Sequence, residues 1–129
     1  MRSLEEGGRK TKILIVEDSE ELASVLKEML EAESFEIRLA NDGREGYLAY
    51  LMFRPDLVIT DLHMPGENGL ELMRNIRLLD PDAKAIYMTG DLSRFWELLQ
   101  EEMAKYRVGC LGKPFSRAEL MKLLSDSLR

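Results

Sequence analysis

Apolar residues recur along this chain in two rhythms. Ile13-Leu14-Ile15-Val16, entered from Lys12, is an unbroken run rich in β-branched residues. Such a run predicts a strand buried on both faces. The next stretch carries Leu22, Val25, Leu26, Met29 and Leu30 at helical spacing, with Ser19 as N-cap and acids in the first turn. Phe35 to Leu39 alternates, predicting a second strand with one more polar face. Asp42 opens a second helix through Tyr47, Leu48, Leu51 and Met52, which Pro55 stops. Leu57 to Thr60 is a third strand. Asn68 caps a third helix bearing Leu70, Leu72, Met73, Ile76 and Leu79, ended by Asp80-Pro81. Ala85 to Met88 forms a fourth strand that ends at Thr89-Gly90-Asp91. A long helical segment follows, with Leu92, Phe95, Trp96, Leu99, Met103 and Tyr106. Val108 to Leu111 is a short fifth strand, and Ser116 caps a last helix with Leu120, Met121, Leu124 and Leu128.

Strands alternating with helices in this way imply an α/β domain, an open parallel sheet covered on both faces. At 129 residues the chain makes one such domain. Residues 1–11 are polar, contain Gly7-Gly8, and are expected to form a flexible lead-in to a domain over 12–129. A content of 45% hydrophobic and 33% charged residues supports one real core. The net charge of −6 gives no attraction to nucleic acid or an anionic membrane, and suits a divalent cation or a basic partner. The single cysteine, Cys110, allows no internal disulfide and fits a cytoplasmic setting. No apolar run is long enough to span a bilayer.

In such a sheet, ligands bind beyond the carboxyl ends of the strands, where the strand order reverses. The residues just past the strand ends are Glu17 and Asp18, Asp61, Thr89, and Lys113. Three acids at one edge repel one another unless something positive joins them. A hard divalent cation with oxygen ligands, Mg²⁺ or Mn²⁺, resolves the conflict, and Lys113 adds a further positive charge. Carboxylate, cation, hydroxyl and ammonium together can neutralise a transferring phosphoryl group, with one carboxylate as its acceptor. His63 is the only histidine, so a transition-metal site is not expected.

The segments "ILIVEDSEE", "PDLVITDLHMPGENGLEL", "IYMTGD" and "GKPF" stand in this order, each at an expected strand end. With them the chain resembles the receiver domain of two-component response regulators, similar to the chemotaxis type, over about Lys12 to Leu128. The resemblance implies a flavodoxin-like (βα)5 fold with sheet order 2-1-3-4-5. It implies Asp61 as phosphoacceptor and Mg²⁺ held by Asp18, Asp61 and the backbone carbonyl of His63, with Glu17 acting through water. Thr89 would swing toward the phosphoryl group, Lys113 would pair with its oxygens, and Lys113-Pro114 would be cis. The His63 side chain would tune dephosphorylation. The donor would be a phosphohistidine on a sensor histidine kinase or phosphotransfer protein. The domain would be a signalling phosphoacceptor rather than an enzyme, with self-directed transfer and autodephosphorylation only. Its output, a downstream protein or a self-dimer, would use the helix 4–strand 5–helix 5 face, with Trp96 as a candidate contact and no direct nucleic-acid or membrane binding.

One position departs from the family pattern. Three residues before the lysine such receivers usually carry a rotating Tyr or Phe, and here stands Cys110. Either coupling to the output face is altered or another side chain, Tyr106 or Tyr87, takes part. The departure keeps open a pseudo-receiver that acts only as an interaction module. A haloacid-dehalogenase-type hydrolase would want a second Asp where His63 stands. A flavodoxin-like cofactor binder would want a phosphate loop where "EDSEE" stands.

Overall fold

Five parallel strands form one sheet: β1 (Lys12–Val16), β2 (Glu36–Ala40), β3 (Leu57–Asp61), β4 (Ala85–Thr89) and β5 (Val108–Gly112). Their order is β2-β1-β3-β4-β5, so the direction of winding reverses between β1 and β3. The computed structural model describes residues 9–64 and 66–129. Residues 1–8 of the expected lead-in, and Pro65, lie outside the described residues. Arg9 makes a forked ion pair with Asp56, and Lys12 N–H donates to the same carboxylate.

Alternate side chains of each strand enter two different cores. Leu14, Val16, Val58 and Tyr87 face α2 (Gly43–Phe53), α3 (Gly69–Leu79) and α4 (Leu92–Lys105). Ile13, Ile15, Ile59 and Met88 face α1 (Glu20–Glu31) and α5 (Arg117–Ser127). Both cores explain why β1, β3 and β4 read as continuous apolar runs rather than as alternation. The expected caps form. Ser19, Asp42, Asn68 and Ser116 each accept a backbone N–H from the first turn of their helix. Asn68 and Ser116 do so within reciprocal capping boxes closed by Glu71 and Glu119.

The apolar stripes and the buried faces do not coincide everywhere. Val25 on α1 is exposed, and α2 buries Gly43, Gly46, Tyr50 and Phe53 while Leu48 and Met52 face outward. Gly46 is the reason: a Cβ there would stand 3.0 Å from Val16 Cγ2 and 3.2 Å from Leu72 Cδ2. Close approach of α2 to β1 therefore runs through Gly46, while Gly43 lies against Glu67 of the loop before α3. On α4 the apolar residues from Leu92 to Tyr106 do not share one environment: Leu99 is fully buried whereas Trp96 stays 44% exposed.

Candidate functional site

The site lies at the carboxyl ends of β1 and β3, where the winding reverses. Glu17, one residue past β1, is buried, and its Oε2 accepts the Ser19 N–H at 3.0 Å. Asp61, the last residue of β3, is buried, and its Oδ1 accepts the His63 N–H at 3.0 Å. Asp18 is exposed beside them. Lys113 arrives from the loop after β5, held by its own N–H donating to Thr89 O at 2.7 Å. Its Nζ donates to Glu17 Oε1 at 2.9 Å and to Asp61 Oδ2 at 3.0 Å. The Lys113-Pro114 bond is cis.

Burial pushes the Glu17 carboxyl upward, opposed by the Ser19 N–H and by Lys113, and the charge of Asp61 adds to the rise. Burial pulls the Lys113 ammonium down, but its bonds to Glu17 and Asp61 outweigh that and raise it overall. The cation is thus firmly charged, and it is shared between two buried acids. One carboxylate oxygen from each of Glu17, Asp18 and Asp61 lies within 4.8 Å of the others. This is a hard oxygen set, open to solvent on the Asp18 side, and it fits Mg²⁺ or Mn²⁺.

Thr89 is buried at the end of β4, with Oγ1 accepting the Asp91 N–H at 3.0 Å. His63 is exposed, and its Nδ1 lies 3.4 Å from Arg94 Nη1 at the start of α4. Arg94 escaped the sequence reading because only the fold brings the α4 N-terminus over the β3–α3 loop. Cys110 is half-buried in β5, in register with Tyr87 of β4. Burial and then the charge of Glu102 raise its thiol, leaving little thiolate for redox chemistry.

Behind Cys110 lies a polar network that includes Tyr87 and Tyr106, the two aromatics the sequence offered there, and adds Glu102 and Arg77, which it did not. Glu102 of α4 accepts from Tyr87 OH at 2.6 Å and from Arg77 Nη1 of α3 at 2.7 Å. The Arg77 guanidinium stacks 3.8 Å from the Tyr106 ring centroid. Its Nε and Nη2 have no hydrogen-bond partner among the described residues. The available signal was that Arg77 lies one turn beyond Met73, on the apolar face of α3.

The Asp61 end of β3 is fixed from behind by Gly69, the first residue of α3. A Cβ at this position would stand 2.5 Å from the Asp61 carbonyl oxygen, backbone against backbone. Gly69→Ala is expected to destabilise the fold by roughly 1–3 kcal/mol, the range for overpacking. Urea denaturation should show a lower midpoint. An unchanged midpoint would mean that the α3 start moves freely from Asp61.

Fold and site together define a chemotaxis-type, flavodoxin-like α/β domain with an acidic pocket at the switch point. Residues 13–125 match the family described as response regulator receiver domain. The chain belongs to this receiver family of two-component signalling. It is 36% identical over 122 residues to the chemotaxis protein CheY of Halobacterium salinarum, covering 90% of this chain and 95% of that one. Against the transcriptional regulatory protein RprY of Bacteroides fragilis it is 31% identical over 124 residues. That match covers 93% of this chain but 50% of RprY. The solved response regulator TrrA of Thermotoga maritima, in complex with Mg²⁺ and BeF, superposes with a TM-score of 0.79 at 34% identity. It covers 92% of this chain and 99% of that one. Among the described residues, no helix is long and apolar enough to cross a membrane.

Proposed function

We propose that Asp61 accepts a phosphoryl group from a phosphohistidine on a sensor kinase or phosphotransfer protein in the cytoplasm. The observation that carries this reading is Lys113 Nζ, bonded at once to Glu17 and to Asp61 beside the open Asp18. A carboxylate oxygen of Asp61 attacks phosphorus. The P–N bond breaks and its electron pair returns to the donor imidazole. Asp18, Asp61 and the His63 carbonyl would hold Mg²⁺, with Glu17 acting through water. When bound, the cation neutralises charge on the transferring phosphoryl oxygens. Lys113 turns from the Asp61 carboxylate to the phosphoryl oxygens, and the Thr89 hydroxyl leaves the Asp91 N–H to join them. His63, steadied by Arg94, covers the approach of hydrolytic water. The result is a switch with self-directed transfer and dephosphorylation, read out on the α4–β5–α5 face, where Trp96 is a candidate partner or dimer contact.

Metal dependence tests the reading. Incubation with Mg²⁺ and acetyl phosphate should add the mass of one phosphoryl group to the intact chain, and EDTA should prevent the addition. No adduct, with Mg²⁺ binding intact, would favour a phosphorylation-independent interaction module instead.

A further inference from the structure

Four of the five helices carry an acid in the first turn, Glu20 and Glu21 in α1, Glu45 in α2, Glu71 in α3 and Glu119 in α5. After its Asp91 cap, α4 has none and places Arg94 there instead. A cation at a helix N-terminus works against the macrodipole. Such local conflicts gather where function uses the residue. Two contacts fix where this guanidinium lies. Its carbon stands 5.2 Å from the centroid of the buried Phe95 ring, and its Nη1 lies 3.4 Å from His63 Nδ1. The strands β3 and β4 are neighbours in the sheet and end in Asp61 and Thr89. The contact therefore joins the β3–α3 loop to α4 across the rim where these two residues meet. His63 is tethered at that rim, because its N–H donates to Asp61 Oδ1 at 3.0 Å.

The donor decides what the ring can do. A guanidinium has donors and no acceptor, so the His63 nitrogen that faces it supplies a lone pair. In the neutral imidazole the proton then sits on Nε2. A ring held in that state offers an N–H on its free side and cannot take a proton from water there. Both side chains are exposed, so replacing either changes stability little, and the use of the contact is orientation.

We propose that Arg94 is a positioning residue that lengthens the life of a phosphoryl group on Asp61, by engaging His63 Nδ1 and so leaving the imidazole without an acceptor nitrogen for hydrolytic water. The proposal rests on phosphorylation of Asp61. In hydrolysis a water oxygen bonds to phosphorus, the bond from phosphorus to the Asp61 oxygen breaks, and its electron pair returns to the carboxylate. The attacking water gives up a proton, which passes to solvent or to a phosphate oxygen while Arg94 holds the ring. Without Arg94 the imidazole turns, and its unprotonated nitrogen can receive that proton as a general base.

Two measurements on the full chain test it. Ring nitrogen chemical shifts of neutral His63, read without phosphorylation, should place the proton on Nε2 in the parent and show a measurable share on Nδ1 in Arg94→Met. Parent and variants are then charged with acetyl phosphate and Mg²⁺, freed of the donor, and followed by intact mass as the phosphoryl group is lost. Arg94→Met should speed the loss about tenfold, below the ~10²-fold of a fully positioned base. Combining it with His63→Leu should remove that acceleration, and Arg94→Lys, which keeps a donor, should decay close to the parent. Unchanged or slower loss in Arg94→Met, the same acceleration in the His63→Leu background, or a ring proton that ignores Arg94 would overturn the proposal. A parent that takes up no phosphoryl group refutes the acceptor role of Asp61 and the proposal with it, whereas normal uptake with a decay indifferent to Arg94 refutes the proposal alone. Thermal melts check that each variant is folded.

Discussion

Asp61→Asn is expected to abolish phosphoryl incorporation while leaving the fold at least as stable as the parent. An amide in place of the carboxylate is not a nucleophile toward phosphorus, so the loss should be complete rather than graded. The local structure has reasons to survive. The carbonyl oxygen of the substituted amide can still accept the His63 N–H, which reaches Asp61 Oδ1 at 3.0 Å. Lys113 retains Glu17 at 2.9 Å. What disappears is one of two buried negative charges that oppose each other across a single ammonium, a repulsion that adds to the rise burial causes in Glu17. Intact mass after acetyl phosphate and Mg²⁺ reads the chemistry, and a thermal melt reads the stability. An undiminished adduct on Asp61→Asn would place the phosphoryl group on another residue and remove Asp61 from its proposed role. An absent adduct with a collapsed melt would mean that Asp61 is needed for folding first.

The position of this acid was legible in the sequence because strand and chemistry meet at one residue. Leu57 to Thr60 can only be a buried strand, so a carboxylate at its end must stand at the rim of the sheet. The same logic located Glu17, Thr89 and Lys113, each next to a recognisable strand. The caps were legible too, since Ser19, Asp42, Asn68 and Ser116 act on their own first turns. Less legible was which side of α2 meets the sheet. The sequence marked Tyr47, Leu48, Leu51 and Met52, but the face that packs holds Gly43, Gly46, Tyr50 and Phe53, and Gly46 against Val16 sets its approach to the sheet. A stripe of apolar residues does not register a glycine, so Leu48 and Met52 lie outward. The contacts of Arg94 with His63 and of Arg77 with Glu102 were illegible for a different reason. They join residues 31 and 25 apart, and no pattern along the chain pairs them, although Arg77 alone stood out on the apolar face of α3.

Glu102→Ala is expected to destabilise the domain by about 3 kcal/mol or somewhat more, the scale for removing one partner of a buried ion pair. Total stabilities of roughly 5–15 kcal/mol make that a large fraction. The Arg77 side chain is 5% exposed and that of Glu102 21%, so the arginine cannot regain hydration when its partner goes. Two of its nitrogens are already without hydrogen-bond partners, and the substitution would orphan the third along with the Tyr87 hydroxyl. Stacking on Tyr106 would be the only compensation left to the guanidinium. Glu102→Gln should lose less, because a neutral oxygen can still accept from both donors. Arg77→Met in the Glu102→Ala background should recover much of the loss, since no unpaired charge then remains inside. Unfolding free energies from urea denaturation of the parent, Glu102→Ala, Arg77→Met and the double substitution give the coupling, and simple additivity of the two substitutions would show that Arg77 and Glu102 do not act as a pair. The network also bears on the switch position. Tyr87 lies opposite Cys110 in the sheet and two residues before Thr89 on the same face of β4. In place of the rotating aromatic that the resemblance leads one to expect on β5, Cys110 stands opposite Tyr87, an aromatic on β4 whose hydroxyl is held by Glu102 of α4. Tyr87 ties β4 to α4 and, through Glu102, to Arg77 of α3, so loosening Glu102 should loosen α4 itself. Faster amide hydrogen exchange in α4 than in α5 of the Glu102→Gln protein is the accompanying readout.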